Sequence, residues 1–336
     1  MKKILLASAS IVAFAGAAAA EVSFSGSAVL GYNDTDQTLA TDDNEYGFYG
    51  EINLDVALSA ELDNGLTVSA SADVDELDAG DADFGGVTLT IASETASLVY
   101  GDTEFAAVDA WAGVGSMDDD GFAEQDGETV LKATVAFGGV DAAVSYIVDA
   151  ADMSELTDLS IGATTTLGSV DLSVAYQEED TFNEIFGISA ATSFAGADVA
   201  FGYAMDNTAD DSSIGVEVAY PFGPVTATAS YVMEDAGEDN WDIEVAYAEG
   251  ALALTVYTDE SEDYGLEAEY DLGNGIELAA GLVDAGDTTY VAGTYDLGGG
   301  AELLVSYVDT DAVNDDDEYG AGDYQEGATV ELSFDF

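Results

Sequence analysis

The chain of 336 residues has no cysteine, no histidine and no arginine, and its only prolines are Pro221 and Pro224. Without cysteine there is no disulfide to hold a fold together. Without histidine or cysteine, neither a Ser–His nor a Cys–His pair can activate a nucleophile. A hydrolase working with two carboxylates needs neither, but nothing singles out one pair among 70 acidic side chains, so the chain does not read as an enzyme. Positive charge is almost missing as well: Lys2, Lys3 and Lys132 are the only basic residues. Every acidic residue lies after Ala20, so residues 21–336 set one lysine against 70 carboxylates, a formal charge of −69. Such a chain repels nucleic acid. High charge often marks disorder, yet 48% of the residues are hydrophobic and 10% aromatic. The charge must therefore be segregated from an apolar surface.

Long apolar runs are lacking too. The only one, Ile4 to Ala15, is shorter than the roughly 20 residues of a spanning helix. Preceded by Lys2 and Lys3 and followed by Ala18-Ala19-Ala20, it reads as an export signal over residues 1–20, with Glu21 as the mature N-terminus.

What is present instead is alternation. Segments of about ten residues switch between apolar and polar side chains with the period of a two-faced strand. In Glu51 to Leu62, Ile52, Leu54, Val56, Leu58, Ala60 and Leu62 share one face, and Glu51, Asn53, Asp55, Ser59 and Glu61 the other. Trp241, Ile243, Val245 and Tyr247 alternate with Asp242 and Glu244, and Tyr264, Leu266, Ala268 and Tyr270 with Glu267 and Glu269. The connections alternate as well. Tight, Gly-bearing turns such as Asn64-Gly65, Gly138-Gly139, Asn274-Gly275 and Gly298-Gly299-Gly300 take turns with longer acidic stretches such as 34–45, 206–212, 234–240 and 309–326. Short turns on one side and longer loops on the other describe an all-β, up-and-down antiparallel transmembrane barrel. It forms one domain over residues 21–336.

Tyr146, Tyr176, Tyr203, Tyr231, Tyr257 and Tyr307 fall near strand ends leading into long loops, and Phe137, Phe194, Tyr220, Tyr247, Tyr270 and Tyr295 just before tight turns. Two aromatic rows match two membrane interfaces. The final segment, Thr329 to Phe336, alternates strictly and suits closure against Val22 to Tyr32, which would abolish both sheet edges. Counting segments gives five strands before Asp102 and fifteen after Gly127, twenty in all, or 16 or 18 if short segments belong to loops. Each size leaves an aqueous lumen.

The start Glu21-Val22-Ser23-Phe24-Ser25-Gly26, the hairpin Tyr295-Asp296-Leu297-Gly298 and the closing Phe334-Asp335-Phe336 resemble the general diffusion porins of Gram-negative bacteria, particularly the alphaproteobacterial type. The resemblance covers residues 21–336 as architecture, with sharp identity confined to the two ends. It implies a 16-stranded homotrimeric barrel in the outer membrane whose third long loop folds into the lumen and narrows it. It also implies basic side chains on the wall opposite an acidic loop.

On that resemblance the candidate constriction loop is 102–127, with Asp102, Glu104, Asp109, Asp118, Asp119, Asp120, Glu124 and Asp126. Carboxylates at a narrow point attract cations and repel anions; the alternative is ordinary solvated loop charge. Lys132 shares a strand face with Val130 and Thr134, opposite Leu131, Ala133, Val135 and Phe137, so it points inward. It serves either as the remnant of the basic cluster or in a salt bridge to a nearby carboxylate. Glu51, Asp55, Asp73, Glu217, Asp242, Glu244, Glu267 and Glu269 are the candidate lumen carboxylates, and Phe336 the closing residue. The small polar inward row Thr67, Ser69, Ser71, Ser173, Thr226 and Thr228 suits water better than a packed plug.

The function read from this is a water-filled, cation-preferring channel for passive diffusion of small hydrophilic solutes, with lipid and solutes as partners and no cofactor. Saline habitat alone would also favour an acidic surface, and the stretches 34–43 and 309–317 have the oxygen donors of weak Ca²⁺ sites. The competing reading is a non-conducting structural or surface-interaction barrel whose acidic loops bind cations.

Overall fold

The computed structural model describes residues 21–35, 47–75, 83–118, 120–123, 128–148, 156–179, 183–310 and 318–336. The predicted leader, 1–20, lies outside them. The first five strands are β1 (Glu21–Asn33), β2 (Gly47–Glu61), β3 (Thr67–Asp75), β4 (Asp83–Ala92) and β5 (Ala96–Gly101). A short helix, α1 (Ala106–Ala110), follows in the β5–β6 connection. Next come β6 (Val130–Phe137), β7 (Val140–Val148), β8 (Leu156–Leu167), β9 (Val170–Glu179), β10 (Asn183–Phe194), β11 (Ala197–Asp206), β12 (Asp211–Phe222) and β13 (Val225–Glu234). The rest are β14 (Asn240–Glu249), β15 (Leu252–Asp259), β16 (Tyr264–Gly273), β17 (Ile276–Val283), β18 (Thr288–Gly298), β19 (Ala301–Thr310), β20 (Glu318–Tyr319), β21 (Tyr324–Gln325) and β22 (Gly327–Asp335).

Twenty of these form one antiparallel sheet in which each strand pairs with its sequence neighbours, and β22 pairs with both β19 and β1. The sheet is therefore a closed barrel. Its size is the twenty strands of the segment count, not the sixteen that the resemblance implies. Strands β20 and β21 stand apart as a two-stranded hairpin. At the seam, Ser27 faces Asp335 and Asn33 faces Thr329. Gly26 and Phe336 extend the seam by donating to each other's carbonyls at 2.9 and 3.0 Å. Closure matters physically because hydrocarbon offers backbone groups no partners, so a sheet crosses it only without edges. Among the described residues no helix is long and apolar enough to cross a membrane.

Side-chain parity sorts the two faces. Phe48, Ile52 and Leu58 on β2, Ile243 and Val245 on β14, and Tyr264, Leu266 and Tyr270 on β16 all lie on the exposed outer face. Their neighbours Glu51, Asp55, Asp242, Glu244, Glu267 and Glu269 point to the other. One aromatic departs from the predicted rows. Tyr257 faces inward, beside Gly265 of β16, and joins a buried cluster rather than an interface belt.

The barrel lumen as candidate functional site

The inner wall carries a docked segment of chain. After β5 the chain turns inward, and α1 lies against β7, β8 and β9. A five-residue helix leaves most of its N–H groups without intrahelical partners. Phe105, at its start, supplies no side-chain cap. The wall supplies two: Ser145 Oγ accepts from Ala106 N at 3.0 Å, and Ser160 Oγ from Ala107 N at 2.8 Å. Phe105 is buried with Val130 and Ile147.

From α1 onward the segment sweeps across β8 to β14. A Cβ at Gly162 would collide with the Ala106 carbonyl, one at Gly187 with the Trp111 ring, and one at Gly215 with the Val114 carbonyl. Gly202 meets Val114 and Met117. Val114 and Met117 pack with Ala204 and Val232 into a small apolar cluster on the inner wall. Asn240 Nδ2 donates to Ser116 O at 2.8 Å, and Gln177 Nε2 to Ala123 O at 2.7 Å. Sequence reasoning missed these seats. Their signal was present as small residues at inward parity on five successive strands: Ser160 and Gly162, Ser173 and Ala175, Gly187 and Ser189, Gly202 and Ala204, Ser213 and Gly215. Ser173, read as a water-lining residue, is 5% exposed and shares a 2.7 Å hydrogen bond with Ser189 on this covered wall.

The predicted constriction carboxylates divide by what they touch. Asp102 is exposed at the end of β5, its N–H bonded to Val87 O at 3.1 Å. Asp109 pairs with Lys132 at 2.8 Å, and Lys132 also donates to the Glu104 carbonyl at 2.8 Å. The Lys132 side chain is only 9% exposed, so the one base in residues 21–336 is spent fastening the start of the segment to β6. Asp118 donates its N–H to Glu234 Oε1 at 3.1 Å and accepts from Asn240 at 3.3 Å. Asp120 accepts from Trp111 Nε1 at 2.9 Å, and burial pushes its carboxyl above the usual range despite that hydrogen bond. Asp119, Glu124 and Asp126 lie outside the described residues.

The wall carboxylates occupy two regions. Glu51, Asp55 and Asp73 lie on β2 and β3, where Ser25 Oγ donates to Asp55 at 3.2 Å. Glu217, Asp242, Glu244, Glu267 and Glu269 lie on β12, β14 and β16; Asp242 accepts from Ser230, and Glu267 meets Tyr290. Among the described residues no group of three ligating side chains is placed to hold a metal. The stretches 34–43 and 309–317, read for Ca²⁺, fall largely outside the described residues.

The chain is similar to several solved structures. One is a substituted variant of the Rh. blastica porin, with 17% identity and a TM-score of 0.49, covering 94% of this chain and 100% of that one. Another is a triple mutant of the Rhodopseudomonas blastica porin, with 16% identity and a TM-score of 0.48 over the same shares. No curated protein matches. The family model described as Gram-negative porin matches residues 7–283, more than four-fifths of the chain. An edgeless barrel with an apolar exterior and a polar, partly filled interior is the architecture that such a match requires. The chain belongs to the Gram-negative porin family and is a multi-pass channel protein of the outer membrane.

Proposed function

We propose that the barrel passes small hydrophilic solutes by passive diffusion and prefers cations. One observation carries the preference. Lys132, the only base in residues 21–336, is neutralised by Asp109 and the Glu104 carbonyl, while the inner wall of β2 and β3 presents Glu51, Asp55 and Asp73. A water-filled path between low-dielectric walls of one sign concentrates counter-ions. The docked part of the segment after β5, described over 102–118 and 120–123, supplies the narrowing, and no cofactor or energy coupling enters. Residues 1–20 act as the export leader, and the mature barrel assembles as the homotrimer that the resemblance implies.

The reversal potential of the refolded protein in a planar bilayer under a KCl gradient tests the preference. A potential displaced toward the K⁺ equilibrium value supports it. Displacement toward the Cl⁻ value refutes the electrostatic reading while leaving the channel intact. A correctly folded barrel that passes no current would favour a structural role.

A further inference from the structure

A second segment folds into the barrel. The hairpin β20–β21, from the connection between β19 and β22, lies C-terminal to the residues that the family model matches. It enters from the same rim as the segment after β5, since both connections fall on the long-loop side. Its seat is the inner face of β17 to β19. Tyr319, 3% exposed, packs with Val283, Tyr290 and Val308, each no more than 4% exposed. The outward neighbours on the same strands, Val291 and Tyr307, are 57% and 50% exposed, so the cluster is on the lumen side.

Three further contacts fix the hairpin. The rings of Tyr290 and Tyr324 sit 5.2 Å apart at 44°. Gly320, at φ +75°, lies so close over the Tyr290 ring that a Cβ would collide with it. Glu267 lies beside the Ala321 backbone and the Tyr290 hydroxyl. Behind the hairpin, Asn33 Nδ2 donates to Glu326 O at 2.8 Å and ties the returning chain to β1. The tip, Ala321 to Asp323, stays exposed.

The first inward segment covers β6 to β14 and the hairpin covers β15 to β19, so between them they occupy neighbouring arcs of one wall. We infer that this hairpin is a second constriction element, held by Tyr290 as a positioning residue, and that the size cut-off of the channel is set by both segments together. The inference rests on the channel itself and not on its cation preference.

Cysteine tagging tests it cleanly, because the chain has no cysteine of its own. Ala321→Cys at the hairpin tip and Ala251→Cys in a tight turn at the opposite rim would each be reacted with a bulky methanethiosulfonate during single-channel recording. Folding is checked first by heat-modifiable migration on a gel. The expected result is a stepwise loss of conductance for Ala321→Cys, reversed by dithiothreitol, with no change for Ala251→Cys. Tyr290→Ala should raise conductance and admit larger polyethylene glycols, whereas Tyr290→Phe, which keeps the ring under Gly320, should retain the native cut-off. Equal, negligible effects at both cysteines, with an unchanged cut-off in Tyr290→Ala, would overturn the inference. Absence of current from the unmodified barrel would overturn the channel and this inference with it.

Discussion

The inner wall from β7 to β12 and the inner wall of β2 and β3 are built from the same alternating pattern and do opposite things. On β7 to β12 the inward positions beneath the segment are mainly Ser, Gly and Ala, with Gln177 among them and Glu217 further along β12, and a stretch of backbone lies directly on the small ones. On β2 and β3 they include Glu51, Asn53, Asp55, Ser69, Ser71 and Asp73, and the described contacts of both inward segments lie on other strands. A small polar residue facing a lumen is therefore ambiguous: it leaves room either for water or for chain. What distinguishes the two is its neighbours. A pair of small inward residues repeated from strand to strand, such as Ser213 and Gly215 or Gly202 and Ala204, marks a seat, and carboxylates spaced along the inward row, as at Glu51, Asp55 and Asp73, mark a wetted wall.

The comparison is best broken by filling a seat. Gly215→Phe drives a ring into the Val114 carbonyl and should expel the segment. The docking it disrupts buries Val114 and Met117, and each such burial contributes about 1.5–3 kcal/mol. We expect a severalfold rise in single-channel conductance and faster chymotryptic cleavage at the half-buried Trp111 and Phe122 than in the parent. Unchanged conductance and cleavage would mean that the segment tolerates a large side chain beneath it.

Neutralising the other wall should act on selectivity instead. In Glu51→Gln/Asp55→Asn/Asp73→Asn the reversal potential should move toward zero by more than in Glu217→Gln, with little change of conductance in high salt. The gap between the two variants should widen as ionic strength falls, because screening lengths grow from about 3 Å at 1 M to about 30 Å at 0.01 M. A larger shift from Glu217→Gln would relocate the ion path to the covered side.

Lys132→Met should have a smaller effect. Asp109 is 41% exposed, so the pair is partly screened and its loss costs about 1 kcal/mol or less. The start of the segment should cleave faster at Phe105, and cation preference should hold or rise, since an uncompensated carboxylate remains. A swing toward anions would contradict an anchoring role for the lysine.

The smallest expected signal concerns Asp120. Burial raises its carboxyl above the ordinary range, so its charge opposes docking at neutral pH. That opposition vanishes as pH falls through the raised value, and the segment docks more firmly on acidification. In a Trp241→Phe background, Trp111 emission should shift as Asp120 takes up its proton, before the solvated carboxylates titrate. The same titration in Asp120→Asn should be flat over that range.

Much of this fold is legible in the sequence because a two-sided strand states its period in every second residue and a tight turn states itself in glycine. Counting those signals gives the observed twenty strands, against the sixteen that the resemblance implies. Individual aromatics are less readable: Tyr257 occupies an interface position by spacing and a lumen position by parity, and parity is decisive. The segment 102–127 stands out by its length. Its carboxylates do not separate by sequence, because whether Asp109 meets Lys132 or Asp120 meets Trp111 depends on how the chain bends inside the barrel. The second hairpin is concealed in an acidic stretch. Its only local marks are Tyr319 and Tyr324 bracketing Gly320 and Gly322.

The seam between β1 and β22 has a consequence for how the barrel forms. Every other strand pairing in the barrel joins sequence neighbours and zips locally, whereas Ser27 and Asp335 are about 300 residues apart. Bringing such distant ends together costs about 5 kcal/mol of loop-closure entropy if the intervening chain is still flexible, and far less once nineteen neighbouring pairings have curved the sheet round. The kinetically favoured order is therefore progressive hairpin addition with the seam last. Until then the growing sheet carries two open edges of unpaired backbone, and it is at that stage that the chain is most exposed to joining another copy of itself.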